Sequence, residues 1–309
     1  MTEISVIMSA YNAGKYIGQA IESILMQSFT DFEFIIINDA STDQTNTKIF
    51  SFRDKRIKYI ENKNRLGLTR SLNLGLKIAR GTYIARMDAD DVSFVDRFKI
   101  QYDYLEKNKN IVLTGSWIEF FGEYKEEKTI WECPQNHYAI KYFLSFCNQL
   151  AHSSIFFRRQ DIINIGGYDN KYEYAQDYDL YARLIKNNYL LNNIGQVLVK
   201  YRVHNESRSF SHNERQKQVE NADKIQFDYL NEIIGASRRE FSIFKRVGED
   251  NLTLIELYTI FQLYRRLYRI FKCDNKIHLN IIGEISIYNN NLKRILIKKA
   301  IKKILRPKK

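Results

Sequence analysis

The chain has 309 residues, 44% apolar and 27% charged, which excludes a disordered polymer and allows a large core. Only two prolines and three cysteines occur, and Cys133, Cys147 and Cys273 form no C-x-x-C pair, so a disulfide framework is excluded and a reducing compartment is expected. The formal charge of +12 is uneven: residues 1–211 hold 27 basic and 25 acidic groups, residues 212–309 hold 21 and 11.

In chain order, residues 4–8 form an apolar β-type run. Residues 13–27 have helical spacing, with Ile17, Ala20, Ile21, Ile24 and Leu25 on one face. A second buried strand covers 32–37, a short helix 42–52, and a third strand 57–60. Residues 68–79 read as a helix through Leu72, Leu76 and Ala79, residues 82–87 as the fourth strand, and 94–108 as a helix. This β-α-β-α order predicts an α/β domain with a mostly parallel sheet flanked by helices. Farther on, 111–118, 153–158 and 197–203 read as strands, and 137–146 and 177–187 as helices. Strand signals then fade, giving an expected division into a domain of residues 1–211 and an α-helical C-terminal appendage of residues 212–309. No signal-peptide pattern precedes Ile4, and no run reaches the roughly 18 apolar residues of a membrane span. Residues 252–271 come nearest, but Glu256, Arg265, Arg266 and Arg269 interrupt them.

Asp88-Ala89-Asp90-Asp91 follows the fourth strand. Three carboxylates there repel one another unless a cation sits among them. A divalent metal carrying a phosphorylated ligand is one solution; an acidic turn, with Asp91 capping the next helix, is the other. Tyr11-Asn12 follows the first strand and Asp39 the second. In open α/β sheets the ligand crevice lies outside the carboxyl ends of the strands, and three polar clusters at that edge favour the metal reading. Asp39 can accept a hydrogen bond from a nucleobase imide N–H. It can equally belong to an Asx-turn, with Ser41 or Thr42 capping the helix that follows.

Ser5-Val6-Ile7-Met8-Ser9-Ala10-Tyr11-Asn12, Asn38-Asp39-Ala40-Ser41-Thr42-Asp43, Asn64-Arg65-Leu66-Gly67-Leu68 and Asp88-Ala89-Asp90-Asp91 together resemble the family 2 glycosyltransferases of the GT-A, Rossmann-like fold. The resemblance spans roughly residues 3–205. It implies an inverting, nucleotide-sugar-dependent enzyme that uses Mn2+ or Mg2+ and builds bacterial surface polysaccharide, lipopolysaccharide or capsule. On this resemblance Asp39 reads a uracil ring, with Ala10, Tyr11 and Asn12 lining the base. Asp88 lies near ribose and metal, and Asp90 coordinates the metal. Arg70 either approaches the nucleotide or is a solvated helix residue.

Gly166-Gly167-Tyr168-Asp169 and the stretch from Ala175 to Leu184 extend the resemblance and imply that Asp177 is the general base. An inverting displacement needs one carboxylate to take the acceptor proton. The bland reading makes Asp177 a helix N-terminal residue favoured by the macrodipole. Asp179 and Arg183, four apart, are expected to form an ion pair. His204 either reaches the metal or diphosphate or is an ordinary hydrogen-bonded histidine. His152, Tyr168, Gln176 and Asp91 are acceptor-side candidates, each with a structural alternative. Trp117 and Trp131 either stack on a sugar or pack in the core. Three departures stand out: Ser9 replaces a usual proline, Asn38 the first of two acids, and Gln176 the acid before the base.

Residues 296–306 alternate an apolar face (Ile297, Ala300, Ile301, Ile304, Leu305) with a basic one, and residues 292–309 contain nine Lys/Arg and no acid. Such a helix either lies on an anionic membrane surface or packs on the protein. No nucleic-acid module accompanies the charge. On the family resemblance, the expected partners are a nucleotide-sugar donor, UDP-linked, and a glycan or lipid-linked acceptor. The expected location is the cytoplasm, peripheral to the inner membrane face. Two other classes fit less well. A sugar-phosphate nucleotidyltransferase needs a Gly-rich phosphate loop, of which Tyr11-Asn12-Ala13-Gly14-Lys15 is a poor version. A non-catalytic membrane- or glycan-binding protein needs none of the acids.

Overall fold

The computed structural model describes residues 2–123, 129–205, 212–247, 249 and 252–273. Four parallel strands form its first half: β1 (Ile4–Ala10), β2 (Phe32–Asn38), β3 (Ile57–Glu61) and β4 (Tyr83–Asp88), in the order β3-β2-β1-β4. β1 and β2 are almost wholly buried runs, as strands covered on both faces must be. Helices α1 (Ile17–Leu25), α2 (Thr45–Phe50) and α3 (Leu68–Ile78) connect them. In α1 the residues Ile17, Ala20, Ile21 and Ile24 are fully buried. This is the stripe the spacing predicts, and each such isoleucine contributes about 1.5–3 kcal/mol. α3 lies close to the sheet because Gly75 faces Ile7, where a Cβ would come within 2.6 Å of the Ile7 side chain.

Register decides where the site lies. Ala10 pairs with Asn38, and Ser9 with Asp88. The three strands therefore end at one level, and Tyr11, Asp39 and Asp88 emerge along a single edge.

Beyond β4 the sheet is mixed, with parallel pairing continuing only between β6 and β9. β5 (Val92–Ser93), helix α4 (Arg97–Lys107), β6 (Ile111–Gly122) and β7 (Thr129–Trp131) come next. They are followed by α5 (His137–Phe143), a 3-10 turn at His152–Ser154, β8 (Phe156–Arg158), α6 (Arg159–Asn164), α7 (Gln176–Lys186) and β9 (Leu190–Val203). The order continues β4-β8-β6-β9-β5; β8 is antiparallel to β4 and β6, and β6 is parallel to β9. α4 starts at Arg97 rather than residue 94 because Val92 and Ser93 pair with β9. β9 begins seven residues earlier than its apolar run. Its start is hidden by Asn192 and Asn193, polar residues whose amide nitrogens find acceptors inside the fold: Asn193 Nδ2 donates to Pro134 O and Gln149 O, and Asn192 Nδ2 to Tyr104 Oη.

The chain divides into two compact units, residues 1–137 with 148–222, and residues 138–147 with 223–309. The division is not a single cut near residue 211. In the second unit, α5 residues such as Tyr142 share an apolar cluster with later helices α8 (His212–Ile234), α9 (Arg238–Lys245) and α10 (Leu254–Cys273). Ser237 and Glu240 form a reciprocal capping box on α9. No described helix is long and apolar enough to cross a membrane. The basic segment 292–309 lies outside the described residues.

Candidate active site

Two cavities meet at the end of β4. One, of about 610 Å3, includes Tyr11, Asn12, Asp39, Arg65, Asp88 and Asp90 in its lining. The other, of about 560 Å3, includes Arg86, Asp88, Asp90, His152, Gln176 and Asp177. Asp88 and Asp90 belong to both.

On the first side, the loop after β1 is tied to the loop after β2. Asn12 N donates to Ser41 Oγ at 3.0 Å, Ala13 N to Thr45 Oγ1 at 2.8 Å, and Gly14 N to Asp43 Oδ2 at 2.9 Å. Asn12 is left-handed at φ 48° and accepts from Thr42 N. Ser41 and Thr42 are thus spent on Asn12 and do not cap α2; Asp43 instead accepts from Thr45 N. Burial opposes the Asp43 charge, but the Thr45 and Gly14 hydrogen bonds prevail and hold its pKa below the ordinary aspartate value.

Asp39 is 2% exposed. Its Oδ1 accepts from Asn62 Nδ2 at 2.7 Å and Leu66 N at 2.8 Å, and its Oδ2 from Gly67 N at 2.8 Å. It therefore shapes the Asn64–Gly67 loop as well as lining the cavity. A carboxylate offers about four acceptor sites, so one is left. Asp39→Ala would leave two backbone N–H groups without their acceptor. We expect a loss of roughly 2–4 kcal/mol in ligand-free denaturant unfolding; unchanged stability would mean the loop does not depend on Asp39. Ala10 is buried and contributes its carbonyl, which accepts from Asp39 N at 2.8 Å.

Arg70 is exposed on α3 and lines neither cavity. Arg65 instead lines the first cavity, its guanidinium 4.0 Å from the Tyr11 ring centroid. The Asn64–Gly67 motif gave no reason to single it out, because its side chain is placed by loop closure onto Asp39.

At the junction, ligand atoms of Asp88, Asp90 and Asp91 lie within 4.8 Å of one another. Arg86 forms a bidentate pair with Asp88, and Ser153 Oγ donates to Asp88 Oδ2 at 2.6 Å. Burial disfavours the Asp88 charge, but Arg86 outweighs it and keeps the pKa below the ordinary aspartate value. Asp91 is 1% exposed, bound by Ser153 Oγ and by Arg202 N at 2.8 Å. Its burial, and then the charges of Asp90 and Asp88, push its pKa well up. It neither caps α4, whose N-cap is Asp96, nor lines the second cavity. Beneath it Arg97, fully buried, donates to Arg86 O at 2.8 Å, Ile155 O and Gln101; burial lowers its pKa to about 9. Arg86 and Arg97 were legible only as cations within or beside a buried strand, an arrangement that is rare unless paired.

Asp90 Oδ2 lies 3.0 Å from His204 Nε2. This is hydrogen-bond distance, and a carboxylate oxygen and an imidazole nitrogen are both atoms able to ligate a divalent ion. The His204 ring packs against Tyr16 at a tilt of 49°, centroids 4.6 Å apart, and its Nδ1 is buried with no hydrogen-bond partner.

On the second side, Asp177 sits in the first turn of α7, after Ala175 in a left-handed conformation at φ 58°. Asn148 Nδ2 donates to Asp177 Oδ2 at 2.7 Å. Burial raises its pKa above the ordinary aspartate value, against the Tyr178 amide and Arg86. His152 Nε2 pairs with Tyr168 Oη at 2.9 Å, and burial lowers the His152 pKa well below its ordinary value. Gln176 reaches the cavity; Tyr168, 3% exposed, does not. The Asp179–Arg183 ion pair forms as expected, at 2.7 Å, and Arg183 also binds the Ile165 and Gly167 carbonyls. Trp117 packs, donating to Cys133 O, whereas Trp131 lines the cavity.

The family model for glycosyl transferase family 2 matches residues 5–166. A Haemophilus influenzae protein named as an uncharacterized glycosyltransferase is 37% identical over 249 residues, covering 74% of this chain and 75% of its own. An Escherichia coli UDP-Gal:alpha-D-GlcNAc-diphosphoundecaprenol beta-1,3-galactosyltransferase is 30% identical, covering 66% of this chain and 76% of its own. In fold, the chain is similar to a Pyrobaculum calidifontis mannosyltransferase solved with GDP-Man and Mn2+. The TM-score is 0.58 at 14% identity, over 99% of this chain and 88% of the other.

Proposed function

The chain belongs to glycosyltransferase family 2, and on that premise we propose that it is an inverting, metal-dependent enzyme. It moves a sugar from a UDP-linked donor to a hydroxyl of a growing surface glycan. The observation that carries this reading is the pair of cavities meeting at Asp88 and Asp90, with Asp39 in one and Asp177 in the other. A displacement with inversion needs that layout: leaving group on one side, base on the opposite side.

The chain's own residues have distinct tasks. The remaining acceptor position of Asp39 takes the imide N–H of uracil. Tyr11, backed by the Arg65 guanidinium, offers a flat face to the base, and Asn12 fixes the loop that carries Tyr11. Asp88, held ionised and oriented by Arg86, faces ribose. Asp90 and His204 would hold the divalent ion, with Asp88 alongside. When bound, that ion neutralises charge on the departing diphosphate. Asp177, kept in place by Asn148, takes the proton of the attacking hydroxyl. The basic residues 292–309 suit an anionic membrane surface carrying a lipid-linked acceptor, a class named for the E. coli relative.

Thermal shift against a panel of nucleotide sugars with Mn2+ tests the reading. UDP-sugars are expected to raise the Tm, the shift following ln(1 + [L]/Kd), and EDTA to remove most of it. A panel with no shift, or one led by another base, overturns the donor assignment.

A further inference from the structure

The cavity that holds Asp177 carries a selection rule for the acceptor. Its wall on β6, β7 and β9 is aromatic, with Phe120, Trp131 and Tyr201 all in the lining. Four acids, Asp88, Asp90, Glu173 and Asp177, share the same lining. The cationic side chain in the described lining is Arg86, and both of its terminal nitrogens are committed to Asp88. Asp90 is turned to His204. Asp177 and Glu173 are therefore left without a cation in that lining. His152 is paired with Tyr168 and makes no ion pair with either carboxylate among the described residues.

Resting on the transferase reading above, we propose that the acceptor ring bound here is an uncharged pyranose, and that hexuronates, which carry a carboxylate on the ring, are excluded. A pyranose has an apolar face of C–H groups and a rim of hydroxyls. The face matches the Trp131 wall, and the hydroxyls donate to Asp177 and Glu173, which as carboxylates can only accept. A carboxylate on the ring would face the negative charges of Asp177 and of the exposed Glu173, and such a like-charge juxtaposition disfavours its binding. Trp131 thus grips the ring, and Glu173 sets the charge preference.

Ligand-observed NMR with methyl hexopyranosides and methyl hexuronosides tests this, with the full chain in Mg2+ and saturating UDP. The neutral glycosides are expected to bind at least about tenfold more tightly than the hexuronosides. Trp131→Ala should weaken the neutral glycosides about tenfold and leave UDP binding unchanged. Glu173→Gln, whose amide oxygen still accepts, should weaken the neutral glycosides by no more than a few-fold and narrow the discrimination several-fold, a charge effect that a merely structural role would not produce. Equal or tighter binding of hexuronosides, no binding of either class, or an unchanged ratio in Glu173→Gln overturns the inference. The UDP signal in the same sample separates the failures. UDP bound without neutral glycoside refutes only the acceptor rule; absent UDP binding refutes the donor reading, and this inference with it.

Discussion

Asp177→Asn is expected to lower kcat by about 10²- to 10⁴-fold, the usual contribution of a positioned general base, while the donor KM changes little. Asparagine keeps the size and can still meet Asn148, but it cannot take a proton. The same variant is expected to be no less stable than the parent. In the folded chain burial raises the Asp177 pKa, so the protonated form is the one folding favours. That contribution is fully present below the ordinary aspartate value and is lost as pH rises through the folded value. Removing the ionisable group therefore removes a neutral-pH cost, and a melting curve separates lost chemistry from lost fold. The pH profile supplies a second check. A base acts when deprotonated, so the acidic limb of kcat/KM should lie above the ordinary aspartate range and vanish in Asp177→Asn. Turnover within a few-fold of the parent would remove Asp177 from the chemistry.

The sequence carried most of the donor-side geometry because that geometry is backbone geometry. Continuous apolar runs and helices of period 3.6 fix which strand ends share an edge, and Tyr11, Asp39 and Asp88 follow from their places one residue beyond β1 and β2 and at the end of β4. What was not legible depends on partners distant in sequence. β5 is two residues long and exists because β9 passes beside it. Ser153 reads as strand but lies in a 3-10 turn, where its hydroxyl bridges Asp88 and Asp91. Arg202, 111 residues after Asp91, supplies the amide that fixes that carboxylate and stacks its guanidinium on Tyr16 and Phe121. No local pattern announces such a contact. The acid run is also less uniform than it reads: Asp88 belongs to Arg86, Asp91 to Ser153 and Arg202, and Asp90 faces His204.

That partition makes Asp90→Ala the sharpest test of the metal. Two carboxylates about 4 Å apart repel by roughly 4 kcal/mol at an effective dielectric near 20. Arg86 answers Asp88, and Asp91 is pushed towards its protonated form by burial and by its neighbours, so Asp90 is the charge that a cation has most to offset. Without metal, Asp90→Ala is expected to fold at least as well as the parent, since it relieves Asp91 of its nearest like charge. In calorimetry with UDP, the Mn2+-dependent gain in affinity is expected to fall by about 100-fold or more, the scale of several kcal/mol that a diphosphate-bridging ion contributes. Metal-free UDP binding should persist, because Asp39, Tyr11 and Arg65 are untouched. His204→Ala should lose less, about tenfold, and keep the same ordering of metals. If Asp90→Ala binds UDP with the parent's full response to Mn2+, the ion sits elsewhere, and Asp90 and His204 are only a hydrogen-bonded pair.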